Sequence, residues 1–526
     1  MSVSGGAKPL VLPLVLTVDA GSGSCRALVF DAAGALLGLA QEEWTYRPVT
    51  DAPGGFDFDT EDGWRRVQAC VRGAVAAAGI DPVEIAAVAA SSMREGFVLY
   101  DEADAVIWAC PNIDARAGRE AEEMIGEGLA ETQYRRGGDW TSITAPARLR
   151  WIWRHRPEVW SRARRLTMLG DWVVARLSGV FCTDPSLGSS SNLFDLAARG
   201  WSAETVAELE LPDILPPIVE PGTVVGGVTP AAAAATGLRV GTPVVAGGAD
   251  TQLALLAAGL TAGPGFAVVG GTFWQSAAVT ATPVIDPEIR LRTLCHVVPG
   301  AWMIEGVGFL HGMSARWVRD GLLRAANPAI PRERGYDELE KLAAAVPAGA
   351  AGLRYLCSSV MDDKRWRHGP PSLVGIDVLE PERTGLGAIY RAVQEEAAYV
   401  ARGHFEILAA VCGQAPETIC FVGGPSRSSL WPQILADVLE VEVEVPPILE
   451  ATALGAALCA LVGAGVYADL PTAAAEIAGP PRRFAPDPAN RAAYDEAYAR
   501  WRELSGHLLD AAEKGMAPFL WRGAGA

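Results

Sequence analysis

The sequence predicts an α/β protein built from two large domains that resemble each other. The first observation is length, because 526 residues, half of them hydrophobic, exceed what one hydrophobic core usually fills. The second is repetition: the pattern of strand, glycine-hydroxyl turn and strand at 16–31 returns at 266–280. Each half also ends with a strand and a helix, at 242–260 and at 418–440. Two similar halves that meet near residue 260 are the simplest explanation.

The first half begins with three apolar runs between residues 14 and 40, separated by DAGSGS and DAAG, which predict an antiparallel three-strand meander. Because the glycine turn joins strands and does not open a helix, it is not a dinucleotide-binding fingerprint. Further strands are predicted at 84–92 and 97–101, with the loop MREG between them. The strand at 242–250 leads directly into the helix at 251–260.

The second half repeats this order, with a strand, a glycine turn and a strand at 266–280. A strand, a glycine turn and a helix follow at 418–440, and then the strand VEVEVP at 441–446. The uncharged stretch at 451–468 approaches the length of a membrane span but consists mostly of small residues. This composition favours a closely packed helix inside a globular domain.

Composition excludes several classes of partner. The net charge of −18 and the absence of a basic run argue against nucleic acid and against an anionic membrane surface, so a small molecule is the expected partner. None of the four lysines lies in a phosphate-binding P-loop motif. Nine scattered cysteines without C-x-x-C spacing predict neither a disulfide framework nor a zinc site, and we expect a cytoplasmic protein. Two prolines interrupt the apolar stretch after Lys8, so we do not expect it to be an export signal.

Four glycine turns lie at strand ends, beginning at Asp19, Gly247, Val269 and Val422. Backbone amides and hydroxyls in such turns cradle phosphate oxygens, and two turns that face each other across a cleft could hold a triphosphate. Asp19 and Asp250 are then the natural acids for Mg²⁺, which prefers one or two carboxylates with water and phosphate oxygens. Asp250 could equally cap the helix that follows it. A carboxylate at that strand end is also where a general base would meet a substrate hydroxyl.

The loops SSMREG and IWACPNIDAR bring charged residues together, with Arg94 and Glu95 in the first and Asp114 and Arg116 in the second. Carboxylates and guanidinium groups bind several hydroxyls at once, which suits a polyhydroxylated ligand. Surface salt bridges without a function remain the alternative for these residues.

Five motifs taken together make the chain resemble the FGGY carbohydrate kinases, from about Leu14 to about Pro486. They are D-x-G-x-x-S-x-R at 19–26, S-M-R-E-G at 92–96, G-G-x-D at 247–250, G-G-T at 270–272 and G-G-x-S-R-S-x-L-W at 423–431. The resemblance implies two ribonuclease-H-like domains of the actin and hexokinase superfamily with a cleft between them. It also implies domains at 14–258 and 259–485, followed by a helical tail at 486–526.

The resemblance further implies roles for single residues, with ATP and Mg²⁺ as cofactors. Asp250 would be the base, a substrate contact and a metal partner, and Asp19 the second metal partner. The phosphates would contact Ser22, Gly23, Ser24 and Arg26 from the first domain and Gly271 and Thr272 from the second. The adenosine would contact Gly424 and Ser428, and the substrate hydroxyls would contact Arg94, Glu95 and Asp114. A homodimer is a candidate oligomeric state.

Within the family, segments such as WACPNIDARA at 108–117 and EATALG at 450–455 are similar to bacterial autoinducer-2 kinases. That branch phosphorylates a primary hydroxyl of linear 4,5-dihydroxy-2,3-pentanedione, a quorum signal. Ile143 and Arg148 replace residues usual in glycerol kinases, which argues against glycerol. Two alternatives stay open: a pentulose or related sugar kinase, and an actin-like or chaperone-like ATPase without sugar transfer.

Overall fold

A computed structural model of the chain describes residues 13–523. Lys8 and the first part of the apolar stretch that follows it, on which the prediction about export rests, lie outside the described residues. The later part of that stretch is a strand in the middle of a sheet.

Strands and helices alternate along the chain, as expected for an α/β protein. The strands of the first half are β1 (Leu14–Ala20), β2 (Ser24–Phe30), β3 (Leu36–Glu43), β4 (Arg47–Pro48), β5 (Phe56–Asp57), β6 (Ile85–Ser92), β7 (Phe97–Tyr100), β8 (Val106–Cys110), β9 (Arg165–Met168), β10 (Phe194–Asp195), β11 (Gly200–Trp201), β12 (Val224–Gly227) and β13 (Pro243–Ala249). Its helices are α1 (Thr60–Ala78), α2 (Gly118–Gly126), α3 (Leu129–Gly137), α4 (Ala145–His155), α5 (Pro157–Trp160), α6 (Leu169–Ser178), α7 (Pro185–Ser190), α8 (Ala203–Glu208), α9 (Pro230–Thr236) and α10 (Asp250–Ala257).

The second half continues in the same way. Its strands are β14 (Gly265–Gly270), β15 (Trp274–Thr280), β16 (Arg292–Cys295), β17 (Trp302–Gly308), β18 (Arg354–Leu356), β19 (Arg367–His368), β20 (Ser372–Val374), β21 (Thr418–Gly423), β22 (Glu442–Val445), β23 (Arg482–Phe484) and β24 (Trp521–Arg522). Its helices are α11 (His311–Trp317), α12 (Arg324–Ala326), α13 (Gly335–Ala344), α14 (Leu386–Cys412), α15 (Leu430–Leu439), α16 (Ala451–Gly463), α17 (Leu470–Ile477) and α18 (Arg491–Glu513).

The two halves contain sheets with the same internal order. In the first sheet the antiparallel meander β3-β2-β1 continues into the parallel strands β6 and β13, with β12 at the edge. In the second sheet the antiparallel strands β17-β15-β14 continue into the parallel strands β21 and β22, and β16 and β23 form the edges. Each half is therefore an α/β domain of the ribonuclease-H-like kind, and the repeat predicted from the sequence is confirmed.

Helices α10 and α16 pack against each other between the two sheets. A single apolar cluster contains residues of both helices together with Val15 and Ala87 of the first sheet and Ala267 and Met303 of the second. The helices approach so closely that a Cβ on Gly455 would lie 2.1 Å from the carbonyl oxygen of Leu253. The small-residue stretch thus contains a closely packed helix, as its composition predicted, but the helix lies between the two domains and not inside one of them. Among residues 13–523, none of the helices has the length and hydropathy that a bilayer crossing requires.

The last described residues fold back onto the second domain. Helix α18 packs on α14 and α15, and β24 pairs antiparallel with β19. The boundary expected between 258 and 259 falls in the connection from α10 to β14.

Candidate active site

The predicted acids of the first domain lie at one edge of its sheet. Asp19, the next-to-last residue of β1, is beside Ser91 of the parallel strand β6, and Ser92 is beside Ala249, which immediately precedes Asp250. The Ser91 hydroxyl donates a hydrogen bond of 3.0 Å to Oδ1 of Asp19. Because carboxyl ends of parallel strands share an edge, residues far apart in sequence are neighbours here.

The predicted turns of the second domain are neighbours for the same reason. Gly270 and Gly423 face each other at the ends of β14 and β21. Gly423 has a φ of 100°, and a Cβ there would lie 2.0 Å from the carbonyl oxygen of Gly270. A Cβ on Gly312 would lie 2.5 Å from the carbonyl oxygen of Gly271. Only glycine permits these backbones to pack so closely.

A cavity of about 250 Å³ lies between the two domains. Four predicted site residues, Ser22, Arg94, Glu95 and Asp250, line it from the first domain. From the second domain it is lined by Phe273 and Gln275, which follow the predicted phosphate turn at Gly271 and Thr272, and by Arg292. The structure thus places the base candidate, two substrate-contact candidates and Ser22 of the first glycine turn around one space, whereas Gly271 and Thr272 precede the lining residue Phe273 without lining the cavity themselves.

Asp250 is the first residue of α10, whose N-cap position is occupied by Ala249. Its Oδ1 accepts the backbone N–H of Thr251 at 2.7 Å, and its side chain is partly exposed to the cavity. Burial raises the pKa of Asp250 to about 6, with the Arg94 guanidinium opposing this shift and the Asp19 carboxylate adding to it. A carboxylate with a pKa closer to neutrality is a better general base than an ordinary aspartate.

Arg94 and Glu95 belong to a buried charge cluster that joins the two domains. Arg94 donates to Oε1 of Glu305 on β17 at 2.6 Å. Arg292 on β16 donates to Glu95 and, at 2.6 Å, to Oδ2 of Asp139. All five side chains are less than 9% exposed, so these are not surface salt bridges. The alternative of solvated surface pairs is wrong for Arg94 and Glu95.

The backbone at Glu95 is held in an uncommon conformation, with a φ of 63°. Arg148, which is buried, donates to the carbonyl oxygens of Glu95 at 2.8 Å, Asn112 at 2.9 Å and Asp114 at 2.6 Å. One guanidinium therefore fixes both charged loops that the sequence singled out. Positive φ values of non-glycine residues concentrate where a side chain must be aimed, and here the Glu95 carboxylate points to Arg292.

The cavity also contains buried polar atoms that need a partner. Within residues 13–523, Nε of Arg292 and Oδ1 of Asn112 have no hydrogen-bond partner, and both residues line the cavity. An unsatisfied buried polar atom costs about 1–3 kcal/mol. Hydroxyl groups of a bound ligand would satisfy both atoms.

Hydrogen bonds to neighbouring residues hold the first-domain turn at 19–24 in place. The amide of Asn112 donates to Oγ of Ser22 at 3.0 Å, the indole of Trp44 donates to the carbonyl oxygen of Gly21 at 3.1 Å, and Ser24 accepts from Gln41 at 3.1 Å. Gly23 is exposed, and a Cβ there would meet no atom within 4 Å. The turn is open on its outer side, where a phosphate chain could approach.

Asp19 and Asp250 are the carboxylates that could hold a magnesium ion together with phosphate and water. Among the described residues no group of three or more His, Cys, Asp or Glu side chains is arranged to hold a metal by itself. Asp19 accepts from Ser91 through Oδ1 and from Arg26 through Oδ2, the latter at 2.5 Å. Each oxygen keeps a second lone pair, so a metal-bound water can still contact it. Arg26 also donates to Glu450 at 2.6 Å, which connects the turn to the second domain.

Gly424 and Ser428, the two residues predicted to contact the adenosine, have different surroundings. Gly424 is exposed at the end of β21, and a Cβ there would meet no atom within 4 Å. Ser428 instead donates to Glu340, and its oxygen accepts the N–H of Trp431 at 2.8 Å at the start of α15. Its hydroxyl is thus already used within the protein.

Asp114 does not line the cavity. Its Oδ1 accepts the N–H of Phe56 at 2.9 Å and the Nε–H of Arg116 at 2.8 Å, and the residue is fully buried. Arg116 in turn lies over the rings of Trp108 and Trp151. The geometry therefore indicates that Asp114 shapes the loop and does not contact a ligand in the cavity.

Sequence reasoning missed Asn112, Asp139 and Arg292 as site residues. Asn112 lies inside the motif quoted for the resemblance, so its position was visible although its role was not. Asp139, in the loop between α3 and α4, and Arg292, the only charged residue of β16, carry no local signal, because only the fold brings Arg292 to Glu95 and Asp139.

One wall of the cavity is apolar, and sequence reasoning did not predict it either. It is formed by side chains of the second domain and of the C-terminal segment: Phe273, Phe309, Met361, Trp366, Leu520 and Trp521.

Comparison with known proteins assigns the chain to a family. The model of the N-terminal domain of the FGGY family of carbohydrate kinases matches residues 14–257, and that of the C-terminal domain matches 266–464. Proteins named autoinducer-2 kinase from Klebsiella pneumoniae subsp. pneumoniae and from Salmonella typhimurium are each 38% identical over 519 residues, covering 97% of this chain and of theirs. The crystal structure of xylulose kinase from Rhodospirillum rubrum has a TM-score of 0.79 and 28% identity, over 94% of this chain and 99% of that one. This chain therefore belongs to the FGGY family of carbohydrate kinases, enzymes that transfer phosphate from ATP to a sugar.

Proposed function

We propose that this enzyme phosphorylates the primary hydroxyl of linear 4,5-dihydroxy-2,3-pentanedione, the autoinducer-2 signal. The observation that carries the proposal is the interdomain cavity, in which Asp250 shares about 250 Å³ with Arg94, Glu95 and Arg292. A space of that size suits a short substrate with few hydroxyls. The 38% identity to autoinducer-2 kinases over nearly the whole chain favours this substrate over others of the family.

Asp250 is the proposed base. Its partly exposed carboxylate faces the cavity, and its raised pKa lets it accept the proton that the attacking hydroxyl loses. Arg94, Glu95, Arg292 and Asn112 would hold the remaining oxygens of the substrate, since their polar groups converge on the same space. Phosphoryl transfer depends mainly on positioning and charge neutralisation, so a small set of residues is sufficient.

The nucleotide is proposed to occupy the space between the glycine turns. Ser22, Gly23, Ser24 and Arg26 would contact its phosphates from the first domain, and Gly271 and Thr272 from the second. Asp19 and Asp250 would hold Mg²⁺, which when bound neutralises charge on the phosphates. Gly424 would lie under the adenosine, with Ser428 shaping that surface through its bond to Glu340.

A pentulose kinase is the second candidate, and the similarity in structure to a xylulose kinase favours it. The two are separated by measuring ADP release with ATP and Mg²⁺ and a panel of linear dihydroxypentanedione, D-xylulose, D-ribulose and glycerol. We expect the highest kcat/KM with the pentanedione. A higher value with a pentulose would refute the proposed substrate, and ADP release that is independent of every substrate would indicate an ATPase without sugar transfer.

We further propose a cytoplasmic location and a homodimeric state. Fractionation of cells that produce the enzyme and sedimentation of the purified protein test these two points separately. A membrane-bound fraction or a sedimenting monomer would contradict them.

A further inference from the structure

The C-terminal segment of the chain returns to the cavity, more than fifty residues after the matched C-terminal family model ends at residue 464. Strand β24 pairs with β19, with Trp521 opposite His368. The N–H of Leu520 donates to the carbonyl oxygen of His368 at 3.0 Å, and that of Gly523 to the carbonyl oxygen of Trp366 at 2.8 Å. These backbone bonds fix the segment in place.

Trp521 is part of a row of aromatic rings along one side of the cavity. Its ring centroid lies 4.9 Å from that of Phe309, which lies 5.1 Å from that of Phe273 next to the phosphate turn. All three residues line the cavity. Beyond Trp521, Gly523 approaches the first domain so closely that a Cβ on it would lie 2.8 Å from Oγ of Ser142. The segment therefore closes the cavity from the second domain towards the first.

Two unlike groups of side chains line the cavity. Asp250, Glu95, Asp139 and Arg292 are charged, whereas Trp521 and its ring neighbours belong to one apolar cluster, which forms the apolar side. A hydroxyl placed against the apolar side would lose its bonds to water and gain none, which is unfavourable. A methyl or methyl-ketone end placed there would be favoured.

We propose that Trp521, supported by Leu520, is a specificity-determining residue that receives the non-hydroxylated end of the substrate. This inference rests on the proposed function, because the linear pentanedione has hydroxyls at one end and a methyl ketone at the other. A pentulose has a hydroxyl at both ends, so the same wall would select against it.

The test compares Trp521→Ala and Trp521→Phe with the wild type, and uses Trp153→Ala as a matched control. Trp153 is 52% exposed on α4, so its loss removes the same side chain away from the cavity. We expect Trp521→Ala to raise the KM for the pentanedione roughly tenfold and to reduce its preference over D-xylulose. The KM for ATP should stay unchanged. Trp521→Phe, which keeps an aromatic ring, should have a KM for the pentanedione close to that of the wild type. A chain ending at Pro518 should behave like Trp521→Ala, and a chain ending at Gly523 like the wild type.

The possible outcomes test the role of Trp521 separately from the identity of the substrate. An unchanged KM for the pentanedione in Trp521→Ala overturns the proposal, and so does an equal rise in the KM for ATP, which a general loss of structure would cause. If the wild type prefers D-xylulose, the proposed function fails. In that case a lower KM for D-xylulose in Trp521→Ala would still support the wall, because the apolar ring disfavours a hydroxyl at that end, and an unchanged or raised KM would refute it.

Discussion

Glu95 shows how a single residue depends on distant parts of the chain. Its uncommon backbone angle is held by Arg148, and its carboxylate is paired with Arg292 from the other domain. The sequence indicated that Arg94 and Glu95 bind hydroxyls, but their salt-bridge partners were not visible. Residue types can be read from a motif, whereas partners about two hundred positions away cannot.

Asp250→Asn should remove phosphate transfer while leaving ATP affinity within about threefold of the wild type. The substitution keeps the shape of the side chain and removes the base, which should lower kcat by a factor of about 10²–10⁴. Single-turnover kinetics and nucleotide titration measure the two effects. Asp469→Asn, at the exposed N-cap of α17, makes the same change away from the cavity and should be neutral. Wild-type turnover in Asp250→Asn would refute the assignment of the base.

Arg94→Ala should raise the KM for the substrate at least about tenfold and leave the KM for ATP unchanged. It should also lower the free energy of unfolding by about 3–5 kcal/mol, because Glu305 would remain buried without its partner. Steady-state kinetics and urea unfolding measure these changes.

Glu305→Gln is the matched control for Arg94→Ala, because Glu305 holds Arg94 without lining the cavity. It should affect stability more than KM. If both variants raise the KM for the substrate equally, Arg94 acts only as part of the ion pair and not as a substrate contact.

At the scale of elements, the glycine turns are fixed by the strands that precede them. Parallel pairing of β14 with β21 brings Gly270 and Gly423 together, and parallel pairing of β1 with β6 brings Asp19 beside Ser91. The sequence predicted the individual strands and the turns that follow them, because glycine at strand ends is a local signal. Which strands pair, and in which register, is seen only in the sheets.

Gly423→Ala and Gly424→Ala should have different effects on stability although the two residues are adjacent. Gly423 has a positive φ and no room for a Cβ, so we expect its substitution to lower the free energy of unfolding by about 2 kcal/mol or more. Gly424 has open space, so its substitution should leave stability within about 0.5 kcal/mol and weaken ATP binding. Thermal unfolding and nucleotide titration measure both. Unchanged stability in Gly423→Ala would contradict the close packing of the turns.

At the scale of the whole molecule, the two domains share an apolar core and a charge cluster. Helices α10 and α16 form the core between the sheets, and Arg94 and Arg292 connect carboxylates of both domains at the cavity. The proposed ligand site therefore lies where the domains are already joined by buried contacts. The same interface contributes to stability and contains the proposed site.

Buried histidines should make this stability depend on pH. Burial lowers the pKa of His296 to about 3, with the Arg199 guanidinium adding to the shift. An unfolded histidine has a pKa of about 6.5, so between these values only the unfolded chain takes up the proton. The stabilising contribution is complete above pH 6.5 and is lost as the pH falls towards 3.

His296→Asn isolates this contribution from that of other titrating groups. An asparagine oxygen can still accept the N–H of Val298, which His296 accepts at 3.1 Å, but it does not titrate. Below pH 6 the free energy of unfolding of the wild type should fall by about 1.4 kcal/mol per pH unit more steeply than that of the variant. Urea unfolding at a series of pH values measures the slopes, which should be parallel above pH 7.5. Equal slopes between pH 4 and 6 would show that His296 is not buried in its neutral form.

The sequence by itself determined the two α/β domains, the main strands in their order along the chain, the positions of the glycine turns and the candidate site residues Asp19, Arg94, Glu95 and Asp250. These follow from local patterns, because turns, strand periodicity and short motifs act over a few residues. Only the tertiary structure decided that Asp114 shapes a loop, that Arg292 and Asp139 join the site, and that Trp521 lines the cavity. The physical reason is that pairing between charges and contact between rings depend on distance in space, which the two sheets and the returning C-terminal strand establish.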